Sequence, residues 1–196
     1  MSSKQRPICI VPIGKVSEIT LKSIAAHILG YLNLDADIHP PLDHPTYAYD
    51  ERRVQYDAGA ILNAFESMPF HDYDKVIGLL DVDLYVPIFT HVFGEATQGG
   101  KFALVSLHRL QTRSEVPSSA TSLQIERAAK VALHELGHLY NLHHCTDERC
   151  LMRFSGEIED LDRTPLYFCR YCSVYLRDAL TLSRPRDTST EESKEV

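Results

Sequence analysis

The chain has 196 residues, 44% of them hydrophobic and 24% charged, and a formal net charge of -7 at pH 7. That composition suits one globular domain with a sizeable core and excludes a disordered or membrane-embedded chain. The acidic balance, with 20 Lys and Arg scattered along the chain, argues against nucleic acid as the main partner, because phosphate binding needs a basic surface.

Residues 1–7 are polar and contain no signal-peptide stretch, and no apolar run approaches the roughly 18 to 20 residues of a spanning helix, so no membrane association and a cytoplasmic location are expected. Residues 8–12 (Ile-Cys-Ile-Val-Pro) read as a buried strand closed by Pro12 and Gly14. From residue 17 to 32 the apolar positions Ile19, Leu21, Ile24, Ala25, Ile28, Leu29 and Leu32 recur at helical spacing, and residues 36–38 resume alternation, which together predict an α/β layer. Residues 39–50 carry three prolines and form a loop, in which His39 and His44 are read as solvated because no partner stands at metal-ligand spacing.

A second helix is predicted over 56–68, and over 75–86 a central strand running into a loop. Asp81 and Asp83 lie two apart at the end of that strand; they could share a face for acid-base work, but strand-end turn and capping roles are the preferred reading. Residues 93–98 and 101–110, joined by Gly99-Gly100, read as two extended segments. An edge strand is expected over 103–106, where unpaired backbone groups could take up an extended peptide; a plain hairpin explains the segment equally well. After a Ser- and Thr-rich loop over 111–122, Thr121 and Gln124 fit a capping box that starts a helix over 123–141.

That helix contains His134-Glu135-Leu136-Gly137-His138. Histidines four apart project from one helix face, as two ligands of a single zinc require, and Glu135 on the flank can act as general base without being a ligand. Zinc lowers the pKa of a water it holds toward about 7, so the carboxylate can take the proton at neutral pH and an amide can be hydrolysed without a covalent intermediate. A third ligand is needed. On a continuous helix His144 would sit about 600° of rotation and about 9 Å beyond His138, so the helix must stop first. Asn141 stands at the required position, and asparagine takes the helix-ending left-handed conformation more readily than any residue but glycine. His143 is the rival; His144 is preferred because three-histidine zinc peptidases use its spacing.

Four of the five cysteines then follow, as Cys145-x4-Cys150 and Cys169-x2-Cys172. Two close pairs in a reducing compartment read as a four-thiolate structural zinc site, and two disulfides would need an oxidising one. Residues 184–196, rich in Pro, Ser, Thr and Glu, read as a flexible tail, which leaves 1–183 as a single catalytic domain with the structural zinc segment at 145–172.

On the residues His134-Glu135-x-x-His138, His144, Cys145-x4-Cys150-x-Met152 and Cys169-x-x-Cys172, the chain resembles the archaemetzincins, within the metzincin clan of zinc peptidases. The resemblance implies a compact α/β fold: a mixed twisted sheet packed on helices, the active-site helix, a small four-cysteine zinc subdomain and a C-terminal helix. It implies two zinc ions per chain: a catalytic one on His134, His138 and His144 with Glu135 as base, and a structural one on Cys145, Cys150, Cys169 and Cys172. Met152 would form an apolar floor beneath the catalytic metal. Asn141 departs from the clan pattern, which has glycine there. The expected function is a metallopeptidase, aminopeptidase or endopeptidase, acting as a monomer on peptides or proteins; the alternative is an inactive zinc-bound interaction module of the same fold. Tyr140, Tyr167 and Tyr171 are candidates by type for stabilising an oxyanion.

Overall fold

A computed structural model of the chain describes residues 7–111 and 121–183; the predicted tail over 184–196 and most of the loop over 111–122 lie outside the described residues. β1 (Ile8–Ile13) is buried at every position, as a strand covered on both faces must be. α1 (Glu18–Leu32) starts where the Ser17 side chain accepts the Thr20 N–H and stops at Asn33, which takes the left-handed conformation at φ 53°. Its buried stripe, Leu21, Ile24, Ile28 and Leu32, faces the sheet, and the chain returns as β2 (Ala36–Ile38) parallel to β1.

A small second sheet follows within the predicted proline-rich loop and just beyond it. β3 (Tyr49–Asp50) pairs antiparallel with β4 (Gln55–Asp57), and α2 (Ala58–Glu66) springs directly from β4 with Asp57 as its N-cap. β5 (Lys75–Leu80) enters the centre of the main sheet, and β6 (Leu84–Tyr85) joins β4 in the small one. β7 (Gly94–Ala96) and β8 (Phe102–Ser106) precede the long helix α3 (Ser122–Leu139), and the short α4 (Ile158–Arg163) and the final α5 (Arg170–Leu182) complete the described elements. The main sheet has the order β2-β1-β5-β8-β7, parallel except for β7, which runs antiparallel to β8 at one edge. This is the mixed α/β architecture expected.

Strand periodicity sorts the two cores. Ile8, Ile10, Ile77, Leu79, Ala103 and Val105 pack with α1 and α3 on one face; Cys9, Val11, Val76, Leu80 and Leu104 pack with Ile61 and Phe65 of α2 on the other. Among the described residues no helix is long and apolar enough to cross a membrane.

The structure corrects two expectations, the solvated His44 and the edge strand over 103–106. The strand over 75–86 runs into its loop after Leu80, where Asp81 and Asp83 each take partners outside the main sheet. Asp81 accepts from the Lys15 N–H at 3.0 Å and from His44 Nε2 at 2.6 Å; Asp83 accepts from Arg109 Nε and Nη2 at 2.7 and 2.6 Å and from Gln55 Nε2 at 3.0 Å. The two carboxylates therefore diverge into separate structural roles, and His44, read as solvated, is tied to Asp81. The expected edge strand over 103–106 is interior instead: β8 is buried throughout and bonded on both sides, to β5 and to β7. The edge belongs to β7, whose Gly-Glu-Ala sequence has too little apolar surface for an interior position.

Lys75, at the first position of β5, ties the sheet to the end of α3. Its Nζ donates to Leu139 O at 2.9 Å and to Gly100 O at 2.7 Å, over the Tyr140 ring. Leu139 is the last residue of α3, where carbonyls lack intrahelical donors and a cation complements the dipole. Replacing Lys75 by Met leaves both carbonyls without that donor, and we expect a loss of about 2 kcal/mol, read as a lower urea midpoint at unchanged m-value.

Candidate metal centre

α3 opens with a complete capping box: Thr121 accepts the Gln124 N–H, and the Gln124 side chain accepts the Thr121 N–H. Its other end is a Schellman turn. Asn141 adopts φ 66°, its N–H donates to His138 O at 2.9 Å, and the Leu142 N–H reaches back to Gly137 O at 2.9 Å. The β7–β8 turn clasps this end, with the Gly99 N–H on His138 O at 2.8 Å and Gln98 Nε2 on Leu142 O at 3.1 Å. The helix thus stops where the spacing argument required.

The turn swings His144 back over the helix. The ring centroids of His134, His138 and His144 lie 4.7, 5.2 and 4.9 Å apart, and one ring nitrogen from each falls within 4.8 Å of the others. His143 is exposed and outside the cluster. His144 also packs edge-on against Phe154, which stacks on Phe89 from the opposite rim.

Hydrogen bonding fixes the tautomers of the two helical histidines. His134 Nδ1 lies 2.7 Å from Leu151 O, and His138 Nδ1 lies 2.7 Å from Leu142 O. A carbonyl can only accept, so each Nδ1 carries the proton and each Nε2 presents a lone pair. Those two Nε2 atoms face each other at 3.0 Å. Two acceptors with no proton between them repel unless a cation sits between, and ligands of a tetrahedral zinc at 2.0–2.1 Å would stand about 3.3 Å apart, so the pair fits such an ion. Burial, then the neighbouring His138, pushes the His134 pKa down to about 3; burial also lowers those of His138 and His144. All three rings are held in the neutral form that binds metals.

Glu135 is buried beside them, its pKa pushed well above the usual carboxylate range by burial first and by Glu95 second. It lies against the edge strand. A Cβ at Gly94 would fall 2.5 Å from Glu135 Oε1 and 2.7 Å from its Cδ and Cγ, so the absence of a side chain at Gly94 makes room for this carboxylate. The histidines and Glu135 open into a cleft of about 400 Å³, roofed by β7 and the segment before it and floored by α3 and residues 151–164.

The cysteines gather on the far side of the Schellman turn. Cys145, Cys150, Cys169 and Cys172 bring their Sγ atoms within 4.8 Å of one another, all as free thiols. Cys145 and Cys169 stand 3.9 Å apart, far beyond a disulfide bond but close to the roughly 3.8 Å edge of a zinc tetrathiolate. Burial raises the pKa of Cys150 to about 11; at Cys169 the burial effect is outweighed by the Cys172 N–H and the neighbouring thiols, and the pKa falls. Between the two clusters Met152 is fully buried, and a Cβ at Gly137 would lie 2.5 Å from its Sδ, so the methionine packs directly on α3 between the two histidines.

None of the three tyrosines lines the cleft; Tyr140 is buried beneath Lys75, and Tyr167 and Tyr171 are exposed elsewhere. The sequence reading missed Gly94, the Phe89–Phe154 pair and Lys130, which lies one turn before His134 on the same helix face. Of these only Lys130 left a signal, its spacing of four from His134.

Comparison with known proteins places this arrangement. The profile of peptidase family M54 matches residues 37–178. The chain is 37% identical over 172 residues to the archaemetzincin of Methanocaldococcus jannaschii, covering 87% of this chain and 93% of that one. The crystal structure of the Methanopyrus kandleri archaemetzincin superposes with a TM-score of 0.80 at 33% identity, covering 91% of this chain and 97% of that one. A zinc-dependent peptidase from Methanocorpusculum labreanum superposes with a TM-score of 0.77 at 28% identity, covering 86% and 99%.

The contact of Gly94 with Glu135 can be tested directly. The atoms met by an added methyl belong to a flexible side chain, so Gly94→Ala is expected to lower stability by about 1 kcal/mol or less, roughly 2 to 4 °C in melting temperature. A crystal structure of the variant should show the Glu135 carboxylate displaced from β7.

Proposed function

The chain belongs to peptidase family M54, the archaemetzincins, and from that membership we propose a peptide hydrolase in which His134, His138 and His144 hold the catalytic zinc and Glu135 is the general base. Zinc metallopeptidase is the activity of the family. The observation that carries the assignment of residues is the pair of unprotonated Nε2 atoms facing each other at 3.0 Å, with His144 closing the third side.

When bound, zinc supplies a Lewis acid that polarises a peptide carbonyl and lowers the pKa of water toward about 7. The chain's own groups do the rest. Leu142 O and Leu151 O orient the imidazoles through their Nδ1 protons. Glu135, in a nearly water-free position, takes a proton from the attacking water and returns it to the leaving amine. Burial first and Glu95 second raise its pKa, and a cation on the three histidines would bring it back toward the range of a working base. β7, at the sheet edge above Glu135, offers unpaired backbone groups to an extended substrate, the role first expected of residues 103–106.

In the same reading Cys145, Cys150, Cys169 and Cys172 hold a second, structural zinc, giving two per chain. The structural neighbour from Methanocorpusculum labreanum, a zinc-dependent peptidase, supports the peptidase reading.

Zinc-loaded protein should hydrolyse a quenched-fluorescence peptide library and contain close to two zinc ions by elemental analysis. Glu135→Gln should keep both ions and lose about 10²- to 10⁴-fold in kcat/KM. A wild-type protein carrying both ions and cleaving no peptide would sink the hydrolase reading in favour of a binding module.

A further inference from the structure

Beyond the three histidines the cleft is lined by Lys130 and Val131 of α3 and by Leu161 and Thr164 of α4 and its C-cap. Lys130 is the one lysine or arginine among the described residues that line it, and it is 2% exposed. Keeping an ammonium from water is costly unless its donors are used. Its Nζ bonds to Glu126 Oε1 at 2.8 Å and to Leu161 O at 3.2 Å. An ammonium has three N–H groups; among the described residues the third has no protein acceptor. Lys130 and Leu161 both line the cleft, and this bond joins them across it from α3 to α4.

Nearby hydroxyls do not compete for that role. Thr164 Oγ1 donates to Asp160 O at 2.9 Å, and Ser155 Oγ, 3.3 Å from Thr164 Oγ1, can therefore donate to it in turn. Of the carboxylates that line the cleft, Glu135 lies against β7, Glu95 is on β7 and Glu157 is exposed before α4; outside it, Glu126 is half-exposed, where water screens its charge, and Asp162, also near Lys130, is paired with Arg127 at 2.6 Å. Lys130 stands four residues before His134, a separation of roughly 6 Å along the helix, which matches the reach of a short acidic side chain.

Resting on the peptidase reading and deepening it, we propose that Lys130 forms a subsite that selects peptides with an aspartate or glutamate side chain next to the scissile bond. The third N–H and the residual positive charge complete a charge-assisted hydrogen bond to that carboxylate. Val131 and Leu161 flank its methylene stem.

The test uses zinc-loaded protein and three peptide hydroxamates identical except for a glutamate, glutamine or leucine side chain beside the chelating group. Calorimetry should give the glutamate probe roughly tenfold tighter binding than the glutamine probe. Lys130→Met should bring that ratio close to one, and Lys130→Arg should restore a preference for glutamate. Equal binding of the two probes to the wild type, or an unchanged ratio in Lys130→Met, would overturn the subsite. Selective binding without any peptide hydrolysis would sustain the subsite and count against the hydrolase; failure of all three probes to bind would overturn both. Should Lys130→Met not fold, equal affinities for glutamate and glutamine in Lys130→Arg would overturn the proposal on its own.

Discussion

The geometry of the centre depends on two backbone carbonyls. Leu142 O and Leu151 O each accept from a histidine Nδ1, and this leaves both Nε2 lone pairs aimed at one point. Neither carbonyl belongs to α3. Leu142 is placed by the left-handed turn at Asn141, and Leu151 by the segment that begins the cysteine cluster, where its own N–H is held by Tyr167 O at 2.8 Å. The helix supplies the histidines, but the residues beyond its end determine which nitrogen of each ring is free.

Much of the centre was legible in the sequence because its information is local. A spacing of four on a helix, a capping box at its start, a residue able to turn left-handed at its end and paired cysteines are all patterns spanning a few residues, and Thr121, Asn141 and His144 behave as those patterns required. Asn141 in place of glycine retains the turn: at φ 66° it occupies the region asparagine tolerates, and its Oδ1 lies 3.3 Å from Gln98 Nε2, a contact glycine could not make.

The illegible part is long-range. Alternation marks a strand but does not say which strands will flank it, so β8 and β7 exchanged their interior and edge roles. Gly94 gave no sign of its importance, because that importance arises only when a strand from much earlier in the chain comes to lie on Glu135. The bond that ties His44 to Asp81 was hidden for the same reason, its partners being 37 residues apart and joined only by the fold.

The two clusters form one mechanical unit. His144 and Cys145 are adjacent, so the proposed ligands of the two ions share a peptide bond, and the Cys145 N–H is fixed on Met152 O at 2.8 Å. Met152 packs on Gly137, between the two helical histidines, and Leu151, its neighbour, orients His134. Any loosening of the thiol cluster therefore reaches the histidines by three routes: the His144–Cys145 bond, the Met152 contact and the Leu151 carbonyl. A reacting centre must hold its groups to within a fraction of an ångström, and an eighteen-residue helix that ends in a surface turn cannot supply that rigidity alone. The cysteine cluster, placed immediately beyond the turn, supplies it from the other side.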